Sequence, residues 1–100
     1  MEEMSKLIGP ALRIIRKLHD VSTSEMSQRT GLSQSYLSEL ETGKKCPSFR
    51  NLTIYCQALN IQVSEAIAMA EVLSGNKDSA RAFGPKMNAI FSLLEMTGSL

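Results

Sequence analysis

The stretch that decides the fold is "TSEMSQRTGLSQSYLSELETGKKCP", residues 23–47. It contains two short helical patterns separated by Gly31. Ser22 and Glu25 have the S-x-x-E spacing of a capping box, which satisfies free backbone N–H groups where a helix begins. Gly31 permits a positive φ angle without a Cβ clash, and Ser33 is placed to cap the next helix. Two capped helices joined at a single glycine predict a helix–turn–helix.

The second of these helices has two contrasting faces. At about 100° per residue, Tyr36, Leu37 and Leu40 lie on one side. The opposite side carries Gln34, Ser35, Ser38 and Thr42, with Glu39 at its margin. A face made only for solubility would favour longer charged side chains, whereas short polar ones allow close approach to a base edge. Gln can pair bidentately with adenine, and Ser can donate or accept. The face favours DNA base reading, with an ordinary polar surface as the alternative.

Composition predicts one all-α domain with a small core. The chain has 100 residues, 43% of them hydrophobic, and strong helix formers dominate. Its formal net charge of +1 excludes binding to nucleic acid by bulk attraction, so any basic groups that contact DNA must be placed locally. Most of the basic residues lie in the first half: Lys6, Arg13, Arg16, Lys17, Arg29, Lys44, Lys45 and Arg50.

Further helices flank this pair. An apolar stripe predicts a first helix up to His19, which either starts near Ile8–Pro10 or has an irregular first turn, because Pro10 cannot donate a backbone hydrogen bond. Gly43 can end the third helix, and Ser48 is expected to cap a fourth that ends at Asn60. A fifth spans roughly residues 63–73.

The sequence offers little for catalysis or cofactor binding. Cys46 and Cys56 form no CxxC motif and have no matching His pair, so neither a metal site nor a structural disulfide is expected. Cys56 lies in an apolar helical pattern and is expected in the core. A single His and no Gly-rich phosphate loop argue against an enzyme. Reduced thiols, and an N-terminus without a long apolar run, favour a cytoplasmic protein.

Residues 12–67 resemble the Cro/phage-repressor (lambda-repressor-like, XRE) helix–turn–helix family. The run "GLSQSYLS.LE.GK..PS" covers the turn, the recognition helix and the following loop together, and "LR..R" at 12–16 and "CQALNI" at 56–61 extend the match. The resemblance implies a compact five-helix domain, dimeric operator binding and repression. Two positions depart from the pattern: Thr42 replaces a common Arg or Asn, and Gln62 replaces a common Ser cap.

The resemblance also implies roles for individual residues. The positions that read bases are Gln34, Ser35 and Ser38, with Glu39 as an occasional base contact. The positions that contact the phosphate backbone are Thr23, Ser33, Tyr36, Thr42, Lys44 and Lys45. Thr23 stands where the family commonly has a Gln, so its reach is shorter. Arg16 and Glu41 match a pair that often forms a buried salt bridge between the first and third helices.

Residues 76–100 lie outside the resemblance, so the chain is divided into a DNA-binding domain over 1–75 and a C-terminal extension. The extension is interpreted as a linker, in which one helical turn could start at Asp78, followed by an extra helix with Pro85 in its first turn. The residues of its apolar stripe recur at helical spacing: Met87, Ile90, Phe91 and Leu94. The hypothesis is that this stripe makes a homodimer, and the alternative is a sixth helix packed on its own domain.

The leading functional hypothesis is a sequence-specific DNA-binding transcriptional regulator that represses by occupying a near-palindromic operator as a dimer. The second is an antitoxin that binds a toxin protein and autoregulates its operon. A coactivator-like adaptor that does not read DNA is a third, but it would favour a Lys/Glu face on the recognition helix. No membrane partner is expected.

Overall fold

The molecule is all-α, as the sequence predicts. The computed structural model describes residues 2–98, excepting the side chains of residues 2, 3 and 94. The elements in chain order are α1 (Glu2–Leu18), α2 (Thr23–Thr30), α3 (Gln34–Glu41), α4 (Phe49–Ala58), α5 (Val63–Leu73), a 3-10 helix (Lys77–Ala82) and α6 (Pro85–Thr97). α1 packs against α3 and α5, and α2 packs against α3 and α4, so α3 is supported from both sides.

Serine caps begin the three central helices. The side-chain oxygens of Ser22, Ser33 and Ser48 each accept a hydrogen bond from the backbone N–H three residues later, at 3.0, 3.1 and 3.1 Å. The predicted capping box at α2 is only half formed, because the Glu25 carboxylate pairs with Arg29 one turn later. The carboxylate contact of a capping box does form at the start of α5, where Glu65 accepts a hydrogen bond from the backbone N–H of Gln62 at 3.0 Å.

Left-handed residues end the helices. Gly31, Gly43 and Asn60 have φ angles of 76°, 86° and 55°, which confirms the predicted stops. Asp20, with φ of 56°, turns the chain out of α1 in the same way. The sequence pattern did not single it out, although Asp tolerates this conformation better than most residues.

The start of α1 was predicted wrongly, because the helix runs without a break from Glu2 through Pro10. Pro10 leaves the carbonyl of Lys6 without its usual partner, and that carbonyl lies against Gly43, where an added Cβ would come within 3.0 Å of it. One residue earlier, a Cβ on Gly9 would lie 1.7 Å from the carbonyl oxygen of Leu40. α1 therefore crosses the end of α3 in direct backbone contact, which only glycine at position 9 allows.

The core joins the helix–turn–helix to the rest of the domain. Met26, Leu37 and Leu40 are fully buried between α2 and α3, as their spacing predicts. Ser27 Oγ donates to the carbonyl of Leu32 at 2.6 Å and closes the turn. Cys56 is buried as predicted, and burial, with a smaller contribution from Glu65, raises the pKa of its thiol to about 11.

The C-terminal helix packs on its own chain. Met87 and Phe91 are 1% and 5% exposed and belong to the same buried cluster as the core of α1–α5. Phe91 meets Phe83 edge to face, with ring centroids 5.3 Å apart. Ile90 is half-buried. The Leu94 side chain, also assigned to the dimer stripe, lies outside the described atoms.

Two of the residues predicted to form a dimer interface, Met87 and Phe91, are therefore already buried within their own chain. Met87 and Phe91 can bury little further area against a partner, so their assignment to an exposed seam is corrected to intramolecular packing. The helix does present large apolar side chains to solvent, but these are Leu93 and Met96, at 61% and 82% exposure. Dimerisation through α6 stays a prediction, and it would have to use this outer face.

Candidate nucleic-acid interface

The outer face of α3 is polar, short-chained and exposed. Gln34, Ser35 and Ser38 all lie open to solvent on this face, opposite the fully buried Leu37 and Leu40. Their exposure follows from the helical period, since the two leucines are drawn into the core and turn these side chains outward. The residues predicted to read bases are thus presented together on one rigid helix.

The fourth predicted reader is placed differently. Glu39 is half-exposed, and its carboxylate lies 3.5 Å from the ammonium group of Lys45. The pair is solvated, so its contribution to stability is small. Lys45 also partly neutralises this carboxylate, which lies at the margin of the reading face formed by Gln34, Ser35 and Ser38. A carboxylate in that position can also accept a hydrogen bond from a cytosine amino group.

A buried ion pair anchors the last turn of α3. The guanidinium of Arg16 in α1 donates twice to the Glu41 carboxylate, Nε to Oε2 at 2.9 Å and Nη2 to Oε1 at 2.8 Å. Both residues are over nine-tenths buried. Nη1 of Arg16 donates to the Val21 carbonyl at 2.7 Å, and the Tyr55 hydroxyl donates to the same carboxylate. Arg16 and Glu41 therefore form the salt bridge that the resemblance implies.

The charges of this network reinforce each other. The hydrogen bond with Glu41 raises the pKa of Arg16 above its ordinary value, against the opposing effect of burial. Burial, followed by the bond to Glu41, raises the pKa of the Tyr55 phenol well above its ordinary value. Arg16 therefore stays charged and Tyr55 stays protonated at neutral pH, and α3 is held to α1 and α4 by charge-assisted bonds.

A groove beside α3 gathers several predicted contact residues. It has a volume of about 360 Å³ and is lined by Arg13, Arg16, Thr23, Gln34, Ser38, Glu41 and Thr42. Thr23 is the first residue of α2, where free backbone N–H groups and the helix dipole favour an anion. The described hydrogen bonds of Arg16 use three of its five N–H donors. A phosphate in this groove would meet donors from α1 and α2.

Arg13 is a functional candidate that the sequence pattern did not reveal. It is exposed, on α1, and lines the same groove as Gln34 and Ser38. A signal was present in the sequence, because Arg13 and Arg16 lie one helical turn apart and therefore on the same side of α1. Without knowing that α1 crosses α3, however, that side of α1 could not be related to the face formed by Gln34, Ser35 and Ser38.

The other predicted backbone contacts are partly engaged within the protein. Thr42 Oγ1 donates to the Ser38 carbonyl at 3.0 Å, so its hydroxyl is left as an acceptor. The Ser33 hydroxyl already caps α3. Tyr36 is half-buried and accepts from Asn51 Nδ2 at 3.0 Å, which ties α3 to the first turn of α4. Lys44 is exposed and available to phosphates, whereas Lys45 is exposed but pairs with Glu39 at 3.5 Å.

The described residues contain neither a metal cluster nor a membrane-spanning helix. No group of three or more His, Cys, Asp or Glu side chains is arranged to hold a metal ion in that part of the chain. No helix between residues 2 and 98 is long and apolar enough to cross a membrane.

Comparisons with known proteins agree with this geometry. A helix-turn-helix family model matches residues 12–66. The clp gene regulator ClgR from Corynebacterium glutamicum has a similar structure, with a TM-score of 0.66 and 32% identity, covering 78% of this chain and 87% of that one.

Two curated relatives extend the comparison. The immunity repressor protein of Bacillus phage phi105 is 28% identical over 98 residues, which are 93% of this chain and 68% of the repressor. Antitoxin PezA of Streptococcus pneumoniae is 28% identical over 72 residues, 72% of this chain but 46% of the antitoxin. With the family model covering more than half of its length, the chain belongs to the Cro/C1-type helix-turn-helix family of DNA-binding transcriptional regulators.

Proposed function

We propose that this protein is a repressor that reads the major groove of a near-palindromic operator through α3, with two copies bound to one site. The observation that carries the proposal is the exposed, short-chained polar face of Gln34, Ser35 and Ser38. That face is held in place by the buried Arg16–Glu41 pair, so it is preorganised for reading bases.

The flanking groups suit the negatively charged backbone. Lys44 and Lys45 follow α3, while Arg13 and the start of α2 border the groove on its other side. Phosphate contacts at both ends of α3 would set its orientation, and the side chains of α3 would supply specificity. Repression follows where the bound site overlaps a promoter. The proposed role is binding without catalysis, in the cytoplasm, where the DNA is.

Two copies are proposed because one copy offers few base-reading side chains. Joining two copies makes the second half-site contact intramolecular, which raises avidity by a factor of roughly 10² or more. A two-fold dimer then requires half-sites related by the same symmetry, with centres about one turn of DNA apart.

Selection of bound duplexes from a random pool tests the proposal directly. We expect enrichment of a site with two-fold symmetry, and loss of that enrichment in Gln34→Ala. A wild-type protein that retains no preferred sequence would contradict the assignment of α3 as the reading helix. Enrichment of an unsymmetrical single half-site would contradict the dimeric arrangement but not the reading role of α3.

An antitoxin is the second candidate. Similarity to PezA extends over 72 residues, and the outer face of α6 offers Leu93 and Met96 to a partner protein. Co-purification with the product of an adjacent small gene, lost in Leu93→Glu but kept in Gln34→Ala, would favour this function. An adjacent gene whose product neither binds nor inhibits growth would argue against it.

A further inference from the structure

An exposed aromatic side chain lies at the edge of the proposed DNA surface and has no role in the functions described above. Phe49, the first residue of α4, is 75% exposed. Single exposed apolar side chains are common on proteins, so exposure alone decides nothing. What distinguishes Phe49 is its position relative to α3 and to the surrounding charges.

The first turn of α4 is attached to the first turn of α3. Asn51 Nδ2 donates to the Tyr36 hydroxyl at 3.0 Å, and Ser48 Oγ caps α4 by accepting from the backbone of Asn51 at 3.1 Å. Tyr36 is two residues after Gln34, in the same turn of α3. Phe49 therefore lies in the first turn of α4. This turn is hydrogen-bonded to the end of α3 that carries Gln34 and Ser35.

The charged residues near Phe49 in the sequence are of one sign. Residues 42–64 contain no Asp or Glu, whereas Lys44, Lys45 and Arg50 are all exposed. The nearest preceding acids are already paired, Glu41 with Arg16 inside the protein and Glu39 with Lys45. An apolar side chain whose sequence neighbours carry a net positive charge fits a polyanion that also has apolar surface. The DNA backbone is such a partner, because its charged phosphates alternate with deoxyribose rings.

We infer that Phe49 packs against deoxyribose of the bound duplex, between phosphates that Lys44, Lys45 and Arg50 contact. The inference rests on the proposed function and adds an apolar contact to the proposed contacts with the DNA backbone. Contacts to sugar and phosphate position a protein on DNA without reading sequence. Phe49 thus contributes equally to cognate and random duplexes, and its contribution does not depend on salt.

The test compares Phe49→Ala, Phe49→Leu and Arg50→Ala with wild type on a random-sequence duplex over a range of salt concentration. Partial burial of an aromatic ring predicts a loss of about three- to tenfold in affinity for Phe49→Ala, with the salt slope unchanged. Phe49→Leu keeps an apolar contact and should recover most of the loss. Arg50→Ala should lower the salt slope by about one.

Two controls separate a DNA contact of Phe49 from a general effect on folding. Gln57→Ala, an exposed change further along α4, should bind like wild type, and thermal melts should show that all variants fold. Unchanged duplex affinity in Phe49→Ala overturns the inference, as does a change in oligomeric state by sedimentation that accounts for the whole loss. A wild type that binds no duplex overturns the proposed function itself.

Discussion

Residues 22–48 and residues 76–98 both pack apolar side chains into the core, but the first segment also depends on contacts of a second kind. The first segment is organised by serine caps, left-handed residues and the buried Arg16–Glu41 pair, each of which has a narrow geometric requirement. The second is held by apolar packing of Phe83, Met87 and Phe91, for which many residues of similar size would serve. Contacts with narrow geometric requirements restrict the residue types at particular positions and so leave a recognisable sequence pattern. Packing against a distant helix does not.

The largest expected effect is at the buried ion pair. Arg16→Ala strands the Glu41 carboxylate inside the protein and should lower the free energy of unfolding by about 3–5 kcal/mol. Denaturant unfolding of Arg16→Ala, Glu41→Leu and the double variant Arg16→Met/Glu41→Leu provides the measurement. The double variant should recover much of the loss, because a well-packed apolar pair can replace a buried ion pair. Small and additive losses would show that the pair does not anchor α3.

A matched pair of changes in α6 tests the other kind of contact. Phe91→Ala should cost about 3 kcal/mol of unfolding free energy, since it empties a buried aromatic site. Leu93→Ala on the exposed face should change unfolding by no more than about 0.5 kcal/mol. Sedimentation of both variants shows which face meets a second copy. If Phe91→Ala unfolds like wild type but loses a dimer, Phe91 belongs to a seam between copies and not to the core of its own chain.

Specific reading and general attraction can be separated on the DNA side. Gln34→Ala should lose roughly 1–3 kcal/mol for the selected site and relax one base position, since one bidentate contact is removed. Lys44→Ala should weaken cognate and random duplexes alike and lower the salt slope by about one. Titrations of both duplexes with each variant give the ratio of affinities. An unchanged ratio for Gln34→Ala would remove α3 from the reading role.

The smallest effect concerns a cap. Ser22→Ala removes the oxygen that accepts from the Glu25 backbone and should cost about 1 kcal/mol of unfolding free energy. Ser24→Ala, an exposed change in the same turn, is the control and should cost less. The measurement is the denaturant midpoint of each variant. Equal midpoints would mean that solvent replaces the cap and that α2 is held by tertiary packing alone.

The difference between the two segments also explains how much could be predicted from the sequence. The stops at Gly31, Gly43 and Asn60, the buried Cys56 and the start of α5 at Val63 depend on near neighbours in the chain, and these predictions are confirmed. The reach of α1 through Pro10, the place of Arg13 beside α3 and the burial of Phe91 depend on contacts between residues far apart. No local pattern contains that information.

The crossing of α1 over α3 at Gly9 has a consequence for selection experiments. A saturation library screened for folding alone should keep only glycine at position 9, since any side chain would push the two backbones apart. The same screen should accept most residues at positions 34, 35 and 38, whose side chains face solvent. The residue required for folding and the residues that select the operator would then lie at separate positions, on neighbouring helices. New DNA specificities should be reachable without first finding compensating changes in the core.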